Sequence, residues 1–267
     1  MSAIGQTAKI SLRGVEKRFA SARGEEQVAL SLVDMDIASG EFVCLVGPSG
    51  CGKTTLINLM AGFERATTGT VTIDGRPVTG PDPDHIMIFQ DYGLYPWKSV
   101  LDNILFGLQA RRVPAPEARE RARAALELVG LQAAAGKHPH ELSGGMKQRV
   151  AIARALAVEP SVLFMDEPFA ALDAFTRLYL QDELLQLWSE KRPTVVFVTH
   201  DLDEAITLGQ RVVLMAPNPG RVQRVLDVEL VYPRERTGND FSLFRRELFQ
   251  EFHLVHQQAA EEEEYSI

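Results

Sequence analysis

"FVCLVGPSGCGKTTLINLMAGF", residues 42–63, decides how the rest of the chain is read. Phe42–Val46 is a continuous apolar run, as expected of a strand buried on both faces in a parallel sheet. From Thr54 onward the apolar residues fall at helical spacing. Between the two, Gly47, Pro48, Ser49, Gly50, Cys51, Gly52, Lys53 and Thr54 fit G-x-x-x-x-G-K-[ST], in the strand–loop–helix setting that this motif requires. Glycines let the main chain wrap a phosphate, and the unpaired N–H groups at the start of the following helix point at it. Lys53 adds a positive charge near the β and γ oxygens, Thr54 offers a hydroxyl to Mg²⁺, and Thr55 reaches the α-phosphate. The bland alternative is a glycine-rich turn with a solvated lysine. The setting between strand and helix favours nucleotide binding.

Upstream, Lys9–Phe19 reads as a strand, "SARGEEQ" (21–27) as a charged loop, and Val28–Ala38 as a second strand that turns at Ser39-Gly40. Downstream, "GTVTIDG" (69–75) alternates as a strand and ends in an Asp-Gly turn signal. From Asp91 to about Pro160 the spacing becomes helical, with "PAPE" (114–117) marking a helix start. "SVLFMDEP" (161–168) and "TVVFVTHD" (194–201) are then apolar runs with polar ends, each followed by a helical pattern. These are βαβ units of a parallel sheet, whose ligands bind at the carboxyl ends of strands. "RVVLMA" (211–216) and "RVQRVLDVEL" (221–230) read as strands around a "PNPG" turn. "FSLFRRELFQEFHLV" places Phe241, Phe244, Leu248, Phe252 and Val255 on one helical face, and "EEEEYSI" (261–267) is expected to be a solvated tail.

The chain has 267 residues and a net charge of −8, which weighs against nucleic acid as a partner. Two cysteines, Cys44 and Cys51, make no disulfide framework, and a reducing compartment is expected. No apolar run approaches the roughly 18–20 residues of a membrane span, and the N-terminus has no apolar signal region. The expectation is a chain neither inserted nor secreted by itself, which can still sit on a membrane protein.

A second phosphate cradle stands in "HELSGGMKQRVAIARAL" (140–156), where Ser143, Gly144 and Gly145 open a helix with no lysine suited to it. Asp166 and Glu167 end the strand of "VLFMDEP". In one reading Asp166 holds Mg²⁺ through its water shell and Glu167 accepts a proton from an attacking water. In the other, both cap a helix that begins near Pro168; with the phosphate loop present, the metal reading is the one expected. Gln90, ending "HIMIFQ", can ligate Mg²⁺ and orient a water, and His200, ending "TVVFVTH", can hydrogen-bond a γ-phosphate. Taken singly, each reads better as a buried structural residue.

"GPSGCGKTT", Phe89-Gln90, "LSGGMKQR", "VLFMDEP", "ALD" and "VTHD" resemble, in order and spacing, the ATP-binding-cassette (ABC) ATPases, from Ile10 to about Arg224. The resemblance implies an α/β P-loop NTPase fold: a RecA-like parallel-sheet core, an N-terminal antiparallel β subdomain and an inserted helical signature subdomain at about 91–160. The ATPase domain would span 8–240, with a C-terminal helix and acidic tail at 241–267. It also implies why one chain has two cradles. Two cassettes dimerise head to tail, and Ser143, Gly144, Gly145 and Met146 of one chain close over ATP held by Gly47–Thr55 of the other. By the same resemblance, Thr54, Gln90 and Asp166 serve Mg²⁺, Glu167 is the general base, and His200 senses the γ-phosphate. Asp173, in "ALD", lies on the loop crossing the dimer interface. Phe19 stands where the family stacks an aromatic on adenine, although a buried strand position is the competing reading. The sequence departs from the family at Met146, where Gln is common; Gln148 follows two residues on.

"DYGLYPWKSVLDNILFGL" and "EPFAALDAFTR" are most similar to the nitrate, sulfonate and taurine importer ATPases. That resemblance implies a separate ATPase subunit, peripheral on the cytoplasmic face of the inner membrane. It would work as a homodimer or with a similar cassette, on two transmembrane permease subunits served by a solute-binding protein. An exporter ATPase, a cassette acting on nucleic acid or ribosomes, and a non-catalytic cassette are the rival readings. The last is disfavoured by intact Lys53, Glu167 and His200. Tyr95, Pro96 and Trp97 read either as satellite core or, by the resemblance, as the surface that meets the permease. Cys51, beside Lys53 at a helix start, is expected to be a reactive thiol with a depressed pKa, the alternative being a small inward-facing filler.

Overall fold

The computed structural model describes residues 8–20 and 26–264, with side chains as far as Leu254. In chain order its elements are β1 (Ala8–Ala20), β2 (Glu26–Ala38), β3 (Phe42–Val46), α1 (Lys53–Ala61), β4 (Thr68–Ile73), β5 (Arg76–Pro77), β6 (His85–Ile88), α2 (Val100–Ala110), α3 (Ala115–Leu128), α4 (Gly144–Ala157), β7 (Val162–Asp166), α5 (Ala174–Lys191), β8 (Thr194–Thr199), α6 (Leu202–Leu208), β9 (Arg211–Ala216), β10 (Arg221–Asp227) and α7 (Asn239–Glu264). They fall into two compact units, one built from the chain up to Pro81 and from Thr194 onward, the other from Asp82–Pro193.

The first unit holds an antiparallel sheet ordered β2-β1-β4-β5 and the strand series β10-β9-β3-β8. β8 and β9 flank β3 in parallel, and β10 returns antiparallel to β9. Every residue of β3 and β8 is buried, which is why both read as unbroken apolar runs rather than as alternations. In the antiparallel sheet β2 alternates instead, burying Val33, Met35 and Ile37 and exposing Asp34 and Asp36. Asp74 and Gly75, both at positive φ (50° and 71°), make the tight turn between β4 and β5. α1 ends at Gly62, whose left-handed conformation (φ 80°) lets its N–H return to the last turn. On α7, Phe241 and Leu248 are buried and Phe244 and Phe252 half-buried, as the apolar spacing requires.

The second unit pairs β6 with β7 in parallel and packs α2, α3 and α4 together. Small side chains are buried on both helices: Ala118, Ala122 and Ala125 on α3, and Ala151, Ala153 and Ala155 on α4. Ser99 caps α2, its Oγ accepting from the Asp102 N–H at 3.0 Å, and α3 starts from Pro114.

Three local expectations change. No helix begins near Pro168: residues 167–172 form bends and turns, and α5 starts only at Ala174 with Asp173 as its cap, so Asp166 and Glu167 are not helix caps. β6 stops at Ile88, which leaves Gln90 in a turn beyond the strand rather than at its end. Glu261–Glu264 continue α7 instead of forming a tail. The side chain of Val255, the end of the expected tail (265–267), most of the charged loop (21–25) and the first seven residues lie outside the described residues. Among the described residues no helix is long and apolar enough to cross a membrane.

Candidate functional site

In the first unit, β3 delivers the chain to Gly47 at its carboxyl end. A Cβ at Gly47 would lie 2.6 Å from the Cys51 Sγ and 2.6 Å from the Met215 carbonyl oxygen, so the loop closes only over glycine. Gly50 and Gly52 take φ of 80° and 89°, where a side chain is strained. Gly52 caps α1 with no side chain to satisfy it, so the N–H groups of the first turn keep no intrahelical partner. Lys53 is buried along the loop, its Nζ donating to the Gly47 carbonyl at 2.7 Å and the Pro48 carbonyl at 2.9 Å. Ser49, Gly50 and Thr54 are exposed, and Pro48 and Thr55 half-buried. An open ring of main-chain donors at a positive helix end, with one ammonium folded into it, fits a polyphosphate.

Next to β3, β8 runs in register so that Val46 faces Thr199. His200 therefore leaves its strand at the level where Gly47 leaves β3, and it is exposed. Asp201 then caps α6, its Oδ1 accepting from the N–H groups of Asp203 (2.8 Å) and Glu204 (3.3 Å). Phe19 is 39% exposed near the end of β1, with the Lys17 Nζ 4.6 Å from its ring centroid. It is thus no buried strand residue.

The expectation for Cys51 is overturned. Its side chain is buried beneath the loop, and burial pushes its thiol above the ordinary cysteine value; the nearby Lys53 ammonium lowers it by less. Desolvation outweighs both helix end and lysine because the thiol turns inward against the space left by Gly47. Cys44, inside β3, is fully buried and its thiol is also pushed up, first by burial and then by the charge of Glu204.

The second unit carries the other set. Ser143 caps α4, its Oγ accepting from the Met146 N–H at 3.3 Å. Ser143 and Gly144 are exposed, Gly145 and Met146 half-buried. A Cβ on Gly144 would come within 3.2 Å of the Tyr92 hydroxyl, and one on Gly145 within 3.2 Å of the Ala171 carbonyl. The start of α4 thus touches the segment after Gln90 and the segment after Glu167. Gln148 is buried, with its Nε2 unpaired, so it turns into the unit and does not stand in for a polar side chain at Met146. Asp166 is buried at the end of β7. Glu167, half-buried, holds φ at 48°, a left-handed conformation that a non-glycine residue keeps only where its surroundings impose it. Gln90 is exposed. Asp173 is exposed and caps α5, and the hydrogen bond from the Thr176 N–H holds its carboxyl below the usual range.

Sequence reasoning missed Arg154, which donates to the Gly93 carbonyl (2.7 Å) and the Tyr92 carbonyl (3.2 Å) and so ties α4 to the segment after Gln90. It also missed Thr199 and Glu204. The Asp201-x-x-Glu204 spacing of a helix capping box was the available signal for the latter.

The family described as "ABC transporter" matches residues 30–170. The nitrate import ATP-binding protein of Synechococcus elongatus is 50% identical over 225 residues, covering 83% of this chain and 82% of that one. The aliphatic sulfonates import ATP-binding protein of Bacillus subtilis is 44% identical over 237 residues, covering 89% and 91%. Among solved structures, a dimeric ATP-binding cassette in a post-hydrolysis state, bound to ADP and Pi, superposes with a TM-score of 0.77. It is 34% identical, over 83% of this chain and 100% of that one.

Proposed function

The chain belongs to the ABC transporter family and is one of its ATP-binding, ATP-hydrolysing proteins, and we propose that it powers an importer of small anions such as nitrate or sulfonates. The observation that carries this reading is the folded phosphate loop, Gly47–Thr55, with Lys53 bound into it and His200 leaving the neighbouring strand at the same level. The names of the nitrate and sulfonate relatives support import as the direction and an oxyanion as the solute class.

In the proposed mechanism, Lys53 and the Gly47–Thr55 main chain bind the phosphates of ATP. Thr54, Asp166 and Gln90 would hold Mg²⁺, which neutralises charge on the phosphate oxygens when bound. Glu167 takes a proton from water as the water oxygen attacks the γ-phosphorus; the bond to the ADP oxygen breaks, and ADP and phosphate leave. His200 hydrogen-bonds the γ-phosphate. Ser143, Gly144, Gly145 and Met146 of a second copy close over the nucleotide, and Asp173 crosses between copies. The solved dimeric cassette supports that assembly. From the cytoplasmic face, closing and reopening the pair would move two membrane permease subunits, which would take their solute from a periplasmic or surface-anchored binding protein on the other side.

Uptake by the complex of this chain with its permease and binding protein, in vesicles loaded with ATP, tests the reading. Nitrate or an alkanesulfonate should accumulate with the wild-type chain and not with Lys53→Ala. ATP-dependent efflux instead would make the chain an exporter subunit.

A further inference from the structure

We infer that Glu204, acting through the hydroxyl of Thr199, is a positioning residue for His200. The inference rests on the proposed role of His200 at the γ-phosphate.

Asp201 and Glu204 have the sequence of a helix capping box, in which the residue three past the cap returns its carboxylate to the cap's own N–H. Here half of that box is direct and half is relayed. Asp201 accepts from the Asp203 and Glu204 N–H groups in the ordinary way. Its own N–H, however, donates to the Thr199 Oγ1 at 3.0 Å, and that hydroxyl donates to the Glu204 carboxylate at 2.6 Å. A hydroxyl has one proton and two lone pairs, and a carboxylate only accepts, so the direction of the relay is fixed. Thr199 is 2% and Glu204 7% exposed, so water does not compete for these bonds.

The residue spanned by the relay is His200. Before it, Thr199 is held in the ladder opposite Val46, next to the phosphate loop. After it, Asp201 is held at its N–H by Thr199 and at its side chain by α6. The far end of α6 is also anchored. Arg234 donates to the carbonyls of Ile206 and Gly209, the latter at 2.6 Å, and the Tyr232 hydroxyl donates to the Leu208 carbonyl at 2.7 Å. Glu204 thus hangs from a fixed helix, and Thr199 and Asp201 pin the main chain on both sides of His200. A side chain with that support keeps its imidazole aimed without losing entropy at each turnover.

The test compares Thr199→Val, Thr199→Ser, Glu204→Met, Glu204→Gln and His200→Ala, reading kcat, KM for ATP and melting temperature of the purified chain. Thr199→Val and Glu204→Met should lower kcat by about 10- to 100-fold, the scale of a misplaced catalytic group, while KM moves little. Thr199→Ser and Glu204→Gln, which keep the donor and the acceptor, should recover most of the loss. In a His200→Ala background, Thr199→Val should lower kcat no further. If the valine variant does not fold, the same comparison is read from Glu204→Met against Glu204→Gln. Equal losses from Thr199→Val with and without His200, or a lowered melting temperature at unchanged kcat, would show a structural cap only and overturn the inference. Wild-type turnover by His200→Ala would overturn it together with the role of His200, which separates the two failures.

Discussion

Val46 and Thr199 face each other in the parallel ladder of β3 and β8. The next residues along the chain, Gly47 and His200, therefore leave their strands side by side. One begins the phosphate loop and the other is an exposed imidazole. Adjacent carboxyl ends of parallel strands are where an open α/β sheet places its ligand. The pairing joins a phosphate-binding loop to a group that can sense a phosphate, with no assumption about any other part of the chain.

The glycines of the loop are not equivalent. An alanine Cβ at Gly47 meets a main-chain oxygen, that of Met215, at 2.6 Å, whereas one at Gly50 meets nothing within 4 Å. Gly47→Ala should lower the melting temperature and abolish ATP binding in an equilibrium titration. Gly50→Ala carries only the left-handed backbone cost, about 1–2 kcal/mol, and should keep measurable binding. Equal damage from the two would show that the closeness at Met215 does not shape the loop.

Trp97 is 72% exposed, yet its base is rigid. The Tyr95 N–H donates to the Asn103 Oδ1 at 2.8 Å, Asn103 is fully buried, and the Tyr95 ring stands edge-on to Phe106 at 4.6 Å. A large aromatic on a stiff loop is suited to be an interface anchor rather than satellite core. Trp97→Ala should leave ATP turnover and melting of the isolated chain unchanged while reducing its co-purification with the permease. Undiminished co-purification and uptake would remove Trp97 from the docking surface.

Cys51 and Cys44 are both buried with raised thiol pKa values, so little thiolate forms near neutral pH. A thiol-alkylating reagent at pH 7.5 should label neither in the native chain at the rate of a free cysteine, and both should label fast in denaturant. Mass spectrometry of the peptides reads this out. Rapid native labelling of Cys51, blocked by ATP, would restore the reactive reading.

The parallel strands were legible because β3, β7 and β8 are buried throughout, and burial on both faces leaves an unbroken apolar run. The phosphate loop was legible because its glycines are demanded by local geometry. What sequence spacing does not carry is the direction in which a side chain turns. Cys51 had every local feature of an activated thiol, but its Sγ fills the space under Gly47 and desolvation decides its charge. Pro168 resembled a helix start, but the chain after β7 turns through Glu167 at φ 48° and becomes helical only past the Asp173 cap. The Thr199–Glu204 relay was hidden because the spacing Asp201-x-x-Glu204 predicts a direct bond, and the interposed hydroxyl depends on how β8 meets α6.

Steady-state phosphate release from Glu167→Gln at saturating Mg-ATP, with ATP binding and oligomeric state measured on the same sample, is the most direct test of Glu167 as the base of a nucleotide-closed dimer. The amide keeps the shape of the side chain and cannot take a proton. Turnover should fall by about 10²- to 10⁴-fold, the usual contribution of a general base, with ATP binding retained and a nucleotide-bound dimer accumulating in size-exclusion chromatography. Turnover within a few-fold of wild type would contradict that role.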